Sequence, residues 1–569
     1  MATPPRSEVA LLFGGEAGQG LQTLQTLMLR LLSQAGWHVF AASEFMSRIR
    51  GGSNSVTLRA APHPVNAWCE KVDLCLILDP AALPRLQGRF GTETVVVGDP
   101  RSLGEVAGMI PLPLQELSKA AGGVLFANAI ACGFLARLLG LDRELLNATV
   151  ASYFGDSANA QSAANLAATR HGWEAAAPHA GCCALLLPSQ PRAAAERPLL
   201  LDGSAAVALG ALAGGCNFIA SYPMSPSTGV LIHLARQART HGVVVEQAED
   251  EIAAINMALG SWYAGGRALV STSGGGFDLM TEGLSLCGAI ESPLVIHLAQ
   301  RPGPATGLPT RSEQGDLELA RYGGHGEFPR AILAPGTLED AFLCAAHAFA
   351  MADASQSPVI LLTDQFLLDS VYDIPDLPLA DRPPETQIVV TAADYQRYAP
   401  SVNGVSPRGI PGLGAGLVCV DSDEHDAQGC ITEDFAVRTA MVDKRLAKGE
   451  LLRFDLALPP RLYGPADFTS LIVGFGSTYG CVREALARVD APHTAFLYCP
   501  QVYPLPAEVV DALLQAQIVI VIENNATGQF ARLLRAETGR GADRQWLKYN
   551  GLPFSVEEVV AHLQEEDWS

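Results

Sequence analysis

Three residues in the central stretch could together hold a negatively charged oxo compound beside a nitrogenous cofactor: Ser225, Glu251 and Arg301. Ser225 lies in the turn S-Y-P-M-S-P-S-T, where Pro223 and Pro226 fix the backbone. Ser227 or Thr228 is the natural cap of the helix V-L-I-H-L-A that follows, which leaves Ser225 free to meet a substrate, with Tyr222 beside it. No histidine and acid arrangement activates this serine, which argues against a serine hydrolase. Glu251 follows the strand signal V-V-V and opens the helix E-I-A-A-I-N-M-A-L-G, where the macrodipole favours a carboxylate. Two readings stay open for it: a helix cap, or a buried carboxyl that shares a proton with a cofactor ring nitrogen. Arg301 ends the strand P-L-V-I-H-L-A-Q and suits bidentate pairing with a substrate carboxylate. The chain shows no Walker-type phosphate loop and no tight cluster of metal ligands, so it reads as half of an active site completed by a partner.

The elements that must position these groups are short apolar strands, each running into a turn or helix start, through residues 216–318. An open α/β sheet presents its site in this way, at the carboxyl ends of its strands. Thr272, Ser273 and Gly274 begin one such turn, T-S-G-G-G. The Gly- and Pro-rich stretch 301–330 is too long and too rich in rigid turns for a simple connector, and is expected to be functional. A helix of small residues at 201–213 is suited to close packing. Near the N-terminus, V-A-L-L-F-G-G-E-A-G-Q-G runs a strand into Gly14, Gly15, Gly18 and Gly20, followed by a helix and the strand W-H-V-F-A-A, a βαβ start. The glycine turn is either structural or a site for a phosphorylated ligand or a partner. Arg48 and Arg50, before Gly51–Gly52, are open in the same way between ligand, interface and solvated turn. From residue 469 a β-α-β-α-β order is clear, with Glu523 and Asn524 at the end of a buried strand.

These signals give an α/β multidomain chain: 1–180, a linker at 181–200, 201–375, and 376–569 with a connecting segment at its start. A length of 569 residues is too great for one core. The net charge of −21 falls almost wholly in residues 201–569, which argues against a nucleic-acid partner. The 12 cysteines include no C-x-x-C and no group of four, so neither an iron–sulfur cluster nor a structural zinc is expected in this chain. Adjacent Cys182 and Cys183, with His179, suit a local structural role, and His425 among acids suits a solvated loop better than a metal site. No apolar run reaches bilayer length and no secretory signal is visible, so a reducing cytoplasm is the expected setting.

The motifs Y-P-M-S-P-S-T, E-D-E-I-A-A-I-N-M-A-L-G, T-S-G-G-G-F-D-L-M-T-E, Q-R-P-G-P-A-T-G-L-P-T-R-S-E-Q-G-D-L and D-E-H-D-A-Q-G together resemble the alpha subunit of the 2-oxoacid:ferredoxin oxidoreductases. The N-terminal G-G-E-A-G-Q-G and R-G-G resemble that family's gamma domain, here fused ahead of alpha. The resemblance implies a pyrimidine-binding domain at 201–375 and a transketolase C-terminal-like domain after it. It implies thiamine diphosphate at the interface with a beta subunit, which carries Mg²⁺ and a [4Fe-4S] cluster, with coenzyme A as cosubstrate and ferredoxin as acceptor. The expected assembly is a dimer of alpha-beta heterodimers. By the same resemblance Glu251 holds the pyrimidine N1′, with Thr272, Ser273 and Gly274 nearby, while Ser225, Tyr222, Thr228 and Arg301 bind the oxoacid. Gly14, Gly15, Gly18, Gly20, Arg48 and Arg50 are candidates for coenzyme A or an interface. Ser225 stands where the family usually has threonine, and T-S-G-G-G where it has T-S-G-P-G. The gamma–alpha fusion favours a 2-oxoglutarate enzyme; pyruvate, branched-chain 2-oxoacids, a thiamine enzyme without iron–sulfur transfer and a non-catalytic assembly subunit are the alternatives.

Overall fold

The computed structural model describes residues 7–46, 52–104, 106, 108–155, 160–183, 185, 198–379 and 386–565. The chain divides into two compact units. One comprises Met1–Leu201, Asp369–Asp376 and Ser555–Glu557; the other comprises Asp202–Leu368, Leu377–Phe554 and Glu558–Ser569. Among the described residues no single helix is long and apolar enough to cross a membrane.

The first unit is built on an eight-stranded sheet. Its strands include β1 (Val9–Glu16), β2 (His38–Glu44), β3 (Ser53–Ala61), β4 (Val72–Ile77), β5 (Phe90–Gly98), β6 (Ile110–Pro111) and β7 (Leu199–Asp202). The order is β6-β5-β4-β1-β3-β2, then the strand Val371–Ile374, then β7. The helix Leu21–Gln34 connects β1 to β2, as the βαβ pattern predicts. The two strands are not neighbours, however, because β3 runs antiparallel to both and lies between them. The core beneath the sheet gathers Leu24, Leu27, Leu31 and Trp37 with Ile130, Phe134 and Leu138 of the helix Ala127–Leu138. Gly133 and Gly172 let the helices Ala127–Leu138 and Ala160–Ala175 approach so closely that a Cβ at either would collide with the other's backbone. That close packing is what the alanine-rich sequence there permits.

The second unit opens with the helix Gly203–Ala213, capped by the Asp202 side chain, which accepts a hydrogen bond from Ala205 N–H at 2.6 Å. Its small residues do pack closely: a Cβ at Gly210 would strike the backbone of Phe342 in the helix Leu338–Ser355. The central sheet has strands β8 (Phe218–Ser221), β9 (Val244–Gln247), β10 (Ala268–Thr272), β11 (Leu294–Gln300), β12 (Ala331–Leu333) and β13 (Pro358–Asp364). All six run parallel. The β10, β11 and β13 strands are buried along their whole length, as continuous apolar runs covered on both faces must be. After β13 the chain supplies β14 (Val371–Ile374), which pairs antiparallel with β2 in the first unit's sheet. The remaining strands are β15 (Arg461–Tyr463), β16 (Ser470–Gly474), β17 (Thr494–Tyr498), β18 (Gln501–Tyr503), β19 (Ile518–Glu523) and β20 (Arg544–Leu547). Five of these form the sheet β15-β17-β16-β19-β20, and β18 instead joins β12 antiparallel at the edge of the central sheet.

Residues 386–434 contain no helix or strand, only isolated bridges. Buried charges hold this segment and the helix Phe435–Glu450 in place. Asp353 pairs with Arg267 at 2.6 Å and with Arg408 at 2.7 Å. Glu291 pairs with Lys444 at 2.6 Å and with Lys448, and all three side chains are buried. Burial pushes the Glu291 carboxyl up, but the two lysines outweigh it and hold it at about 2. Its folded value thus lies below its unfolded one. The pairing therefore stabilises the fold above the ordinary carboxylate range, and that stabilisation is lost as pH falls toward the folded value. Glu291→Ala leaves two buried ammonium groups without their acid, and is expected to destabilise the unit by about 3–5 kcal/mol in denaturant titration at neutral pH.

Candidate active site

The carboxyl ends of β8, β9, β10 and β11 supply the turns in which the chemistry-bearing residues sit, where an open parallel sheet offers a site. Asp250, not Glu251, caps the helix Glu251–Tyr263: its side chain accepts from Ala253 N–H at 2.7 Å. This separates the two readings of Glu251. The glutamate is 2% exposed and its Oε1 has no hydrogen-bond partner. A buried carboxyl oxygen without a partner is costly, and such groups concentrate at functional sites. The carboxyl lies against the T-S-G-G-G turn. A Cβ at Gly276 would come within 2.5 Å of Glu251 Oε1 and would also strike Thr272 Oγ1. Gly276→Ala is therefore expected to displace the glutamate and reduce turnover by at least about tenfold, the effect of roughly 1–3 kcal/mol of overpacking. Steady-state kinetics beside a thermal melt would separate this from loss of fold.

Thr272 and Ser273 are fully buried, Ser273 at the N-cap of the helix Gly274–Ala289. The Ser273 hydroxyl makes no capping bond and, like Glu251 Oε1, has no partner. Beneath the turn, Ser271 Oγ, the His297 ring and Thr363 Oγ1 form a buried chain with both contacts at 2.8 Å. Burial pushes His297 down to about 3, so the ring is neutral and serves as a fixed floor.

Arg301 and Ser225 are brought together through the backbone: Arg301 Nη1 donates to the Ser225 carbonyl at 2.7 Å. The Ser225 residue is exposed, Tyr222 is exposed, and Thr228 is half-buried. The expected cap does not form. Ser227 occupies the N-cap position of the helix Thr228–His241, but its hydroxyl donates to Met224 O at 2.7 Å, and Thr228 is already the first helical residue. A turn bent back on itself satisfies the serine locally.

The long loop after Arg301 is held by the C-terminal layer of the same unit. Gln314 N–H donates to Asn524 O at 2.7 Å, Asn525 Nδ2 to Gln314 O at 3.1 Å, and Gln529 Nε2 to Gly315 O at 2.7 Å. Asn524 at the end of β19 thus binds this loop, while the Glu523 carboxylate accepts from Phe530 N–H and Ala531 N–H. The loop ends at Asp316, within R-S-E-Q-G-D-L, where nothing in the spacing singles it out. Its amide donates to Gln300 Oε1 at 3.0 Å, its Oδ2 is buried without a partner, and its carboxyl fills the space beside Gly274. Burial pushes Asp316 up to about 7, Glu313 and Asp278 add to this, and Arg301 opposes it. No local pattern marks such a residue, because its surroundings come from three separate stretches of chain.

The remaining candidates lie elsewhere. Gly14 and Gly15 fall within β1, not in a turn, and Gly18 and Gly20 have positive φ, with Gly20 at the N-cap of the helix Leu21–Gln34. Gln19 closes that turn, accepting from Glu16 N–H at 2.9 Å. Arg48 and Arg50 lie outside the described residues. His425, expected in a solvated loop, is fully buried: its ring packs on Tyr398 with centroids 4.0 Å apart and planes tilted by 40°, and Glu424 beside it pairs with Arg438 and Arg445. Among the described residues no group of three or more metal-ligating side chains occurs. A cavity of about 500 Å³ along Ile252, Asn256 and Glu282 does not include Glu251, Thr272 or Arg301.

At its strand ends this parallel sheet carries an acid with an unpartnered oxygen, a glycine turn and an arginine. The family model described as "Pyruvate flavodoxin/ferredoxin oxidoreductase, thiamine diP-bdg" matches residues 209–444, and "Pyruvate ferredoxin/flavodoxin oxidoreductase" matches residues 10–175. The chain is 30% identical to the 2-oxoacid:ferredoxin oxidoreductase subunit alpha of a Sulfolobus species, over 97% of this chain and 95% of that one. It is 29% identical to the 2-oxoglutarate oxidoreductase subunit KorA of Mycobacterium tuberculosis, over 98% and 92%. A solved structure of the 2-oxoglutarate:ferredoxin oxidoreductase from Magnetococcus marinus, with 2-oxoglutarate, coenzyme A and succinyl-CoA bound, superposes with a TM-score of 0.92 at 28% identity, covering 98% of this chain and 99% of that one. The chain belongs to the 2-oxoacid:ferredoxin oxidoreductases, as an alpha-type subunit that works with partner subunits.

Proposed function

We propose that this subunit, assembled with an iron–sulfur beta subunit, converts 2-oxoglutarate and coenzyme A to succinyl-CoA and CO₂, passing two electrons singly to two ferredoxins. The observation that carries the cofactor side is the buried Glu251 Oε1, which lacks a partner against a turn kept open by Gly276. That vacancy in hydrogen bonding fits an aminopyrimidine nitrogen, so Glu251, Thr272, Ser273 and Gly274 would hold the pyrimidine end of thiamine diphosphate. When bound, that cofactor supplies the carbon nucleophile and the electron sink for decarboxylation. Glu251 would offer its unpartnered oxygen to that nitrogen, Gly276 gives it room, and buried Thr272 keeps water from it. Arg301, fixed by the Ser225 carbonyl, presents its guanidinium to the oxoacid carboxylate. Ser225, exposed beside it and lacking the methyl of threonine, leaves space for a longer oxoacid, with Tyr222 and Thr228 at the margin.

The finer architecture follows the same reading. Residues 1–180 act as a gamma-like domain, 201–375 as the pyrimidine-binding domain and 376–569 as a transketolase C-terminal-like domain with its connecting segment. Gly14 and Gly15 at the end of β1 and the turn carrying Gly18 and Gly20, with Arg48 and Arg50, serve coenzyme A or an interface. Mg²⁺ and a [4Fe-4S] cluster reside in the beta subunit, and the assembly is a cytoplasmic dimer of alpha-beta heterodimers. The solved structure with 2-oxoglutarate and succinyl-CoA supports this substrate over pyruvate or a branched-chain oxoacid. A panel of 2-oxoacids, offered with coenzyme A and a low-potential acceptor to the co-purified complex, tests it. The highest kcat/KM is expected for 2-oxoglutarate, and a clear preference for pyruvate or a branched-chain acid would replace it.

A further inference from the structure

Asp316 has no role in the chemistry described so far, yet three elements converge on it. Gln300, the last residue of β11, accepts its amide hydrogen, and Arg301 follows directly in the chain. The first glycine of the helix Gly274–Ala289 lies against its carboxyl: a Cβ at Gly274 would meet Oδ2 at 2.7 Å and Oδ1 at 2.8 Å. Asp316 occupies the N-cap position of the short helix Leu317–Tyr322 but makes no capping bond, so helix formation does not account for the side chain. Its Oδ2 is buried without a partner. The charged groups acting on it are Glu313 from the preceding loop, Asp278 from the glycine-turn helix and Arg301 from the end of β11. Glu251 approaches the same turn from its own helix, against Gly276.

We propose that Asp316 is a specificity-determining residue for the oxoacid: ionised, its carboxylate competes with the substrate carboxylate for Arg301, and neutral, it releases that guanidinium and adds no negative charge to the cleft. This rests on the reading of Arg301 as the group that binds the substrate carboxylate. Two observations give it chemical force. Among the described residues Arg301 donates to a neutral carbonyl and forms no salt bridge, and the acid acting on its charge is Asp316. Asp316 is pushed up to about 7 by burial, with Glu313 and Asp278 adding to the effect. It is neutral below that value and ionised above it, so a dicarboxylate oxoacid binds best on the acidic side of neutrality.

The test is the pH dependence of KM for the preferred oxoacid in the complex assembled with its beta subunit, compared with that of kcat. In the wild type, KM is expected to rise about tenfold across the neutral range, the effect of one unit of linkage between a proton and the substrate. Asp316→Asn keeps the shape but cannot ionise, and its KM is expected to lose this limb. Glu313→Gln removes a charge that favours the neutral form of Asp316, so its limb is expected at lower pH. Both variants are read for KM separately from kcat, because a merely structural role would not move the limb in these two ways. A limb unchanged in Asp316→Asn, while Arg301→Ala still raises KM, overturns this inference alone. An active complex in which Arg301→Ala leaves KM unchanged overturns both this inference and the assignment of Arg301.

Discussion

Glu251→Ala in the assembled enzyme is expected to lower kcat by about 10²–10⁴-fold, the range over which a positioned acid or base contributes. The same variant is expected to melt no lower than the wild type. Glu251 Oε1 is buried without a partner among the described residues, and Asp250 supplies the cap, so no stabilising bond leaves with that oxygen. Removing an unsatisfied buried polar group is close to neutral or favourable for stability. Loss of turnover at unchanged or raised melting temperature is thus the signature of a residue kept for chemistry. Thermal melts beside single-turnover kinetics measure it. Wild-type turnover in the variant would remove Glu251 from the mechanism, and a large fall in melting temperature would assign it to the fold.

Arg301→Ala is expected to reduce kcat/KM for the oxoacid by about 10²–10³-fold, mostly through KM, because a desolvated charge pair loses one partner. Arg301 is only partly buried, and among the described residues its side chain bonds to the Ser225 carbonyl alone, so the cost to stability is small. Arg301→Lys restores the charge but not the planar fork, and should recover only part of the loss. A panel of 2-oxoacids run on both variants checks the assignment. Equal loss for every acid, with KM unmoved, would place Arg301 outside substrate binding.

The central strands and their turns were legible because their signals are local. A β-branched run followed by E-D-E-I-A-A-I marks strand then helix. Which of the adjacent acids caps that helix was not legible, since Asp250 and Glu251 are chemically alike and only their backbone positions separate them. Ser227 misled for the same reason: its type suits a cap, and the bend of the turn gave its hydroxyl to Met224 instead. Asp316 and Gly276 owe their meaning to neighbours brought from distant segments, and no spacing rule reports that. The strand β3 also escaped notice. Its residues S-N-S-V-T-L-R-A-A alternate polar and apolar, yet all nine are buried, with Arg59 donating to Ala67 O at 2.8 Å. An amphipathic pattern implies a wet face, and here that face is dry.

The strand Val371–Ile374 carries a consequence for any attempt to dissect the chain. It covers the β2 edge, and its residues are synthesised only after the whole central sheet through β13. During translation that edge therefore waits, with its amides and carbonyls open to any passing strand. A fragment ending at the linker keeps the strands β1 to β6 but loses the one that seals the β2 edge. Excised alone, the amino-terminal portion would carry a sticky border and tend to self-associate, whereas grafting residues 369–376 onto its end would restore the seal.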